Sequence, residues 1–158
     1  MNLKNNYNFV IYSILYITLL LGFFINEDLT IGYKVDHFIH LQVIEKLNQD
    51  FIKTLLNFDR QDLGFTTSHS PFFYTFYLIL KKISLNNESI LRIINLHISL
   101  FIPYLFYLIL KVKNLNNKDT LITLIPGIFF LSPYFRSGSF WIGSENISLV
   151  FLFASFYY

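Results

Sequence analysis

The sequence predicts an all-α fold, a polytopic bundle of transmembrane helices, and three observations carry that prediction. Hydrophobic residues make up 54% of the 158-residue chain and charged residues only 14%, with a mean hydropathy of +0.48. Soluble domains carry about 25% charged residues. Two runs, Asn8–Ile25 and Ile93–Leu110, each hold 18 residues without a charge, close to the ~20 needed to cross ~30 Å of hydrocarbon. The extended polar region between them spaces its apolar residues at helical rather than strand period.

Composition also excludes whole classes. With no cysteine there is no disulfide, zinc thiolate or thiol nucleophile. A net charge of +2 gives no footprint for nucleic acid. Nineteen phenylalanines and eleven tyrosines, in a chain also rich in Asn, Ile and Lys, fit an AT-rich genome, so scattered aromatics carry little weight.

Taken in order, the first apolar run follows "MNLKNNYN". It exceeds the ~7–15 residues of a signal-peptide core and lacks a small-residue cleavage pattern, so a retained span is expected over about 8–25. Further spans are expected over about 90–110, 120–135 and 146–158, with Pro103 kinking the second. The last is still apolar at "FLFASFYY", so residues 1–158 are expected to be a single membrane domain at the N-terminal end of a longer protein. With Lys4 on the cytoplasmic side, residues 26–89 face the other side. Within them "SPFFYTFYLIL", closed by Lys81-Lys82, is expected as a re-entrant or short spanning helix over 70–83.

The large polar loop holds "DHFIHLQVIEKLNQDFIKTLL", Asp36–Leu56. Leu41, Ile44, Leu47, Phe51 and Leu55 form one apolar stripe, which predicts an amphipathic helix lying at the interface or on other spans. Asp36 stands where a side chain caps the helix, and His40 is placed one turn further on the same face. Asn87 and Asn146 each begin a sequon.

The stretch "SPYFRSGSFWIGSEN", 132–146, is the least expected between apolar segments. Arg136 can snorkel, Trp141 can anchor at headgroup level, and Glu145 can open a helix at its positive dipole end. A carboxylate at the mouth of a lipid-facing segment is nevertheless costly and points to function.

"SPYFRSGSFWIGSENISLVFLF" resembles the second extracytoplasmic loop of the GT-C glycosyltransferases, including the oligosaccharyltransferase catalytic subunit. "YKVDHFIHLQVIEKL" resembles their first extracytoplasmic loop, which carries an acidic residue regarded as catalytic or metal-binding. "TTSHSPFFY" is similar to the Pro-aromatic segment of the dolichyl-phosphate-glucose-dependent glucosyltransferases, and "ILRIINL" to the Arg-containing start of the following helix. The resemblance follows element order over nearly the whole chain. There are departures: Asp36-His37 stands where the family has an Asp-Glu pair, and Glu145-Asn146 replaces a second-loop pair of acids.

What the resemblance implies is transfer of a sugar, with inversion or retention, from a polyprenyl-phosphate carrier to a glycan, lipid or protein acceptor outside the cytoplasm. Asp36 would be the general base, and Glu145 a second carboxylate that orients the acceptor or stabilises charge at the anomeric carbon. Arg136 and His69 would meet phosphate or sugar, His40 would neighbour Asp36, and Trp141 would stack on a sugar. Arg92 is expected to snorkel, and His97 to be satisfied by a neighbouring helix. No cofactor is expected, and the departures weigh against a divalent metal. The setting would be a multi-pass integral membrane protein, in the plasma (inner) membrane if the source is bacterial. A non-catalytic membrane scaffold is the alternative, and a transporter module a third reading.

Overall fold

The computed structural model describes residues 3–29, 32–56, 58, 69–113, 122 and 124–158. Every regular element among the described residues is helical. Helix α1 runs Leu3–Phe24 and ends in a Schellman motif. Asn26 takes the left-handed conformation at φ 55°, while Asn26 N–H bonds Phe23 O and Glu27 N–H bonds Gly22 O. Asparagine accepts that conformation because its short polar side chain bonds locally.

The expected amphipathic helix is two helices, α2 (Tyr33–Gln49) and α3 (Phe51–Leu56). Asp50 breaks them apart and its Oδ1 accepts Lys53 N–H at 3.1 Å. The stripe is also rotated from expectation. His37, His40, Val43, Ile44 and Leu47 are buried, whereas Phe51 and Leu55 are exposed. The helix starts at Tyr33 with Gly32 as its cap residue, so Asp36 lies in the first turn and does not cap. Asp36 is exposed and His40 buried, so the two do not share an environment.

Helix α4 spans Pro71–Ile83, 13 residues, or about 20 Å at 1.5 Å per residue, short of a crossing. The segment expected over 70–83 is thus a short helix. Its buried face of Phe73, Tyr74, Tyr77 and Leu78 packs on α2 residues Val43, Ile44 and Leu47, and Lys81 pairs with Glu45 across the same contact. Asn87 then caps the next helix, its Oδ1 accepting Ile90 N–H at 3.1 Å.

Helices α5 (Glu88–Ser99) and α6 (Phe101–Val112) together make a 25-residue apolar helix, long enough to cross a membrane. Near Pro103, where a kink was expected, α5 and α6 are separated only at Leu100, which itself keeps right-handed helical geometry. A proline clashes with the backbone a turn before it, not at its own position. In α1 the apolar helical stretch Phe9–Phe24 is shorter than the ~20 residues of a full crossing.

The span expected over 120–135 is not formed. A seven-residue 3-10 turn, Ile125–Leu131, holds Pro126-Gly127 and is followed by helix α7, Pro133–Phe140; residues 120, 121 and 123 lie outside the described residues. Proline has no N–H to donate and glycine loses most entropy on ordering, and together they prevent a regular helix. Arg136 lies inside α7, whose start Ser132 Oγ caps by accepting Phe135 N–H, and only residues 141–143 separate it from the next helix. Helix α8, Ser144–Tyr157, follows a bend of 107° from α7.

Two apolar clusters fill the interior. One joins α2, α4 and Leu91 to Ile142 and Ile147, and the other joins Leu19 and Phe23 of α1 to Leu96, Ile102, Phe130, Phe135, Phe140 and Trp141. A polar layer ties α5 to α7 and α8. Asn95 Nδ2 donates to the carbonyls of Gly138 and Ser139 at 3.0 Å and Trp141 at 3.3 Å, while its Oδ1 accepts from Tyr77. Asn146 Nδ2 reaches Ser99 Oγ, Phe135 O and Ser139 Oγ at 3.1–3.2 Å. Gly138 permits this approach, because a Cβ there would stand 3.2 Å from the Asn146 amide.

Candidate functional site

Tyr33 opens α2 and Glu145 lies in the first turn of α8, so each is placed by a helix start rather than by a loop. The Tyr33 phenol hydrogen-bonds the Glu145 carboxylate, with the Asp36 charge also close. Burial first, then these two acids, push the phenol well above its ordinary range. It stays protonated and donates to Glu145. Gly143, in extended backbone before α8, makes the contact feasible: a Cβ would stand 2.7 Å from Tyr33 Cε1 and 2.8 Å from Glu145 Oε2. Asp36 and Glu145 are both exposed. The Asp36 carboxylate makes no hydrogen bond or ion pair with any described residue.

Behind this surface His37 is fully buried and doubly bonded. Its Nδ1 accepts Ile142 N–H at 3.1 Å, which fixes the proton on Nε2, and Nε2 then donates to Glu88 Oε1 at 3.1 Å. Burial holds His37 below the usual imidazole range, with Glu88 opposing and Arg92 assisting that shift.

Arg92 does not snorkel. It is 9% exposed, with Nε bonded to Phe140 O, Nη1 to Asn26 Oδ1, and its guanidinium 3.8 Å from the centre of the Trp141 ring. Its Nη2 is buried without a hydrogen-bond partner among the described residues. Trp141 is correspondingly interior, 2% exposed, donating Nε1–H to Glu27 O at 3.0 Å. It is therefore neither a headgroup anchor nor an open stacking platform. Lys34 Nζ stands 5.4 Å from the same ring, on an exposed residue.

Arg136 is committed elsewhere. Its fork grips Glu27, Nε to Oε1 and Nη2 to Oε2 at 2.6 Å each, and also reaches Phe130 O and Thr18 O. A guanidinium so engaged has little left for a phosphate.

No family model, curated protein or solved structure matches this chain.

His40 and His69 form a pair, ring centroids 4.8 Å apart, with Phe73 and Tyr74 around them. His40 Nδ1 lies 3.2 Å from Tyr74 OH, and burial, reinforced by His69 and His37, pushes His40 down to about 4. His40 is therefore neutral near pH 7. His97, as expected, meets a neighbouring helix. Its Nδ1 donates to Ile93 O at 2.8 Å, so Nε2 accepts from Tyr16 OH of α1 at 3.2 Å.

Of the six residues expected at a site, the structure gathers Asp36 and Glu145 about Tyr33, sets His40 against His69, and takes Arg136 and Trp141 into internal contacts. Sequence reasoning missed Tyr33, Lys34, Glu27, His37 and Glu88. Only the adjacency of Tyr33-Lys34 to Asp36 gave any hint. Among the described residues no three His, Asp or Glu side chains are grouped to hold a metal ion.

Proposed function

We propose that this chain is the sugar-transferring part of a polytopic GT-C-like glycosyltransferase, using a polyprenyl-phosphate sugar and an acceptor outside the cytoplasm. The observation that supports the reading is that the Tyr33 phenol bonds Glu145 and also feels the charge of Asp36, two acids from helix starts far apart in the sequence.

Asp36, exposed and unpaired, takes the proton of the acceptor hydroxyl. The hydroxyl oxygen bonds to the anomeric carbon as the carbon–oxygen bond to phosphate breaks, and polyprenyl phosphate leaves with the electron pair. Base assistance of this kind contributes about 10²–10⁴-fold. Glu145, held by Tyr33, orients the acceptor or stabilises positive charge at the anomeric carbon. With Arg136 occupied by Glu27, the exposed ammonium of Lys34 is the cation for the leaving phosphate. The carrier's tail lies along the apolar α5–α6 helix, with α1 and the bent α7–α8 pair as further membrane elements.

Replacing Asp36 with Asn in the complete protein tests this. Transfer from the lipid carrier is expected to fall at least about 100-fold at unchanged insertion. Near-wild-type turnover overturns the assignment.

The scaffold reading draws on a different observation. Arg136, Trp141, Arg92 and His37 are all consumed in internal contacts, which holds the fold without chemistry. It expects Asp36→Asn to be silent, so one experiment separates the two.

A further inference from the structure

A cavity of about 210 Å³ lies between α4 and α8. Helix α8 contributes Ser144, Ser148 and Phe151, which the 3–4 spacing places on one face, together with Ile147. The lining is mixed. Phe72, Phe73, Phe76, Ile147 and Phe151 supply apolar surface, the Phe72 and Phe151 rings meeting edge to face at 5.9 Å. Ser70, Ser144 and Ser148 supply hydroxyls, and none of the three hydroxyls has a hydrogen-bond partner among the described residues. Ser70 stands at the cap position of α4, yet its side chain makes no capping bond. His69 adds an imidazole, and among the described residues no carboxylate, ammonium or guanidinium lines the space.

This lining selects its occupant. A purely apolar molecule would cover three hydroxyls without satisfying them, at about 1–3 kcal/mol for each group left unpaired. An anion would gain from the two helix starts, but Glu145 sits in the first turn of α8 and answers that dipole with its own negative charge. What fits is a neutral molecule with an apolar C–H face and hydroxyls around its edge. Ligand cavities of mixed wall, mostly apolar with a few placed polar groups, bind in this way.

We propose that this cavity binds a single neutral sugar ring, its C–H face on Phe72 and Phe151 and its hydroxyls on Ser144, Ser148 and Ser70. The assignment of that ring to the transferred sugar or to the acceptor rests on the glycosyl-transfer reading above. The binding itself does not. Ser144 immediately precedes Glu145, so an occupant here abuts the turn that carries the second carboxylate.

The test is saturation-transfer NMR on the full chain in lipid nanodiscs, with methyl glucoside and methyl galactoside as probes and inorganic phosphate and cyclohexane-class alcohols as competitors. The ring C–H protons of at least one glycoside are expected to receive saturation. Ser144→Ala with Ser148→Ala should weaken binding about tenfold, and Ser148→Phe, which fills the space, should abolish it, each at unchanged melting temperature. Absence of saturation for both glycosides overturns the proposal, as does undiminished binding in Ser148→Phe. Displacement by phosphate or by the apolar alcohol at lower concentration than by free glycoside also overturns it. Glycoside binding lost in these variants from a protein with no transfer activity would leave the cavity assignment standing and sink the transfer reading. Transfer that survives both variants does the reverse.

Discussion

Arg136 and Glu27 form a two-pronged ion pair across 109 residues of chain, with both contacts at 2.6 Å and side chains 13% and 12% exposed. Gly22 lies directly beneath it: a Cβ there would stand 2.6 Å from Arg136 Nη2 and would also strike Glu27 Oε2. Removing one partner of a buried pair strands the other charge, at a cost of about 3–5 kcal/mol. Glu27→Gln is therefore expected to destabilise by about 3 kcal/mol, read as a fall in melting temperature in detergent. Lysine at 136 should not rescue, since a point charge cannot make both contacts. Replacing both residues with leucine should recover most of the loss.

The buried histidines predict an acid-side loss of stability. An imidazole whose folded value lies below its unfolded value of about 6.5 binds protons more readily in the unfolded chain. The stabilisation from His37 and His40 is thus fully present above about pH 6.5 and is lost as pH falls through the lowered folded values, about 4 for His40. Protonation of His37 at Nδ1 also breaks its bond to Ile142 N–H. Thermal unfolding followed from pH 8 to pH 4 should show this slope, and His37→Gln should flatten it. Ring chemical shifts of His37 and His40 should stay those of neutral imidazole at pH 6; a mid-point near 6.5 for either would refute the assignment.

Gly143→Ala is the sharpest probe of the acidic surface. Its methyl group would collide with the Tyr33 ring and the Glu145 carboxylate, so one of them moves. Displacement of a positioned group by about 1 Å costs on the order of 100-fold in rate. The variant should lose sugar transfer to that extent while keeping its melting temperature within a few degrees. Tyr33→Phe should act in the same direction, since it frees Glu145.

Asn95 is expected to be the most sensitive polar residue of the interior. Asn95→Leu leaves Tyr77 OH and the carbonyls near the α7 end without their partner. Interhelical hydrogen bonds in membranes average ~0.6 kcal/mol and reach ~1.7, so losing this set should cost about 2 kcal/mol. Denaturation in mixed micelles measures it, and a neutral result would mean that water replaces the amide.

How far the sequence foretold this structure follows from what each element depends on. Helix α4 was legible nearly to the residue, because Pro71 and Lys81-Lys82 mark its two ends locally. The long helix at 88–112 was legible from the uncharged run 93–110 that makes up most of it. The segment at 120–135 misled, since its apolar character is real but Pro126-Gly127 forbids a continuous helix. The rotation of α2 was hidden because histidine reads as polar, while His37 and His40 are buried by bonds to Glu88, Ile142 and Tyr74 that only the tertiary fold supplies. Asn146 resembled a sequon in a chain full of asparagine, and nothing local reveals that it is 4% exposed and bonded to three groups. Of the surface acids, Asp36 and Glu145 were singled out by type and place, while Tyr33 offered no hint beyond standing three residues before Asp36.

The separation of Glu27 from Arg136 has a consequence for biogenesis. At ribosomal speeds of about 5–20 residues per second, the carboxylate waits on the order of 5–20 s before its cation is synthesised. Leu29 N–H, which bonds Ser137 Oγ, and the Glu27 carbonyl, which accepts from Trp141, wait equally long. The first connection is therefore complete well before the groups that close it exist. A chain stalled short of residue 136 would consequently hold Glu27 without its cation.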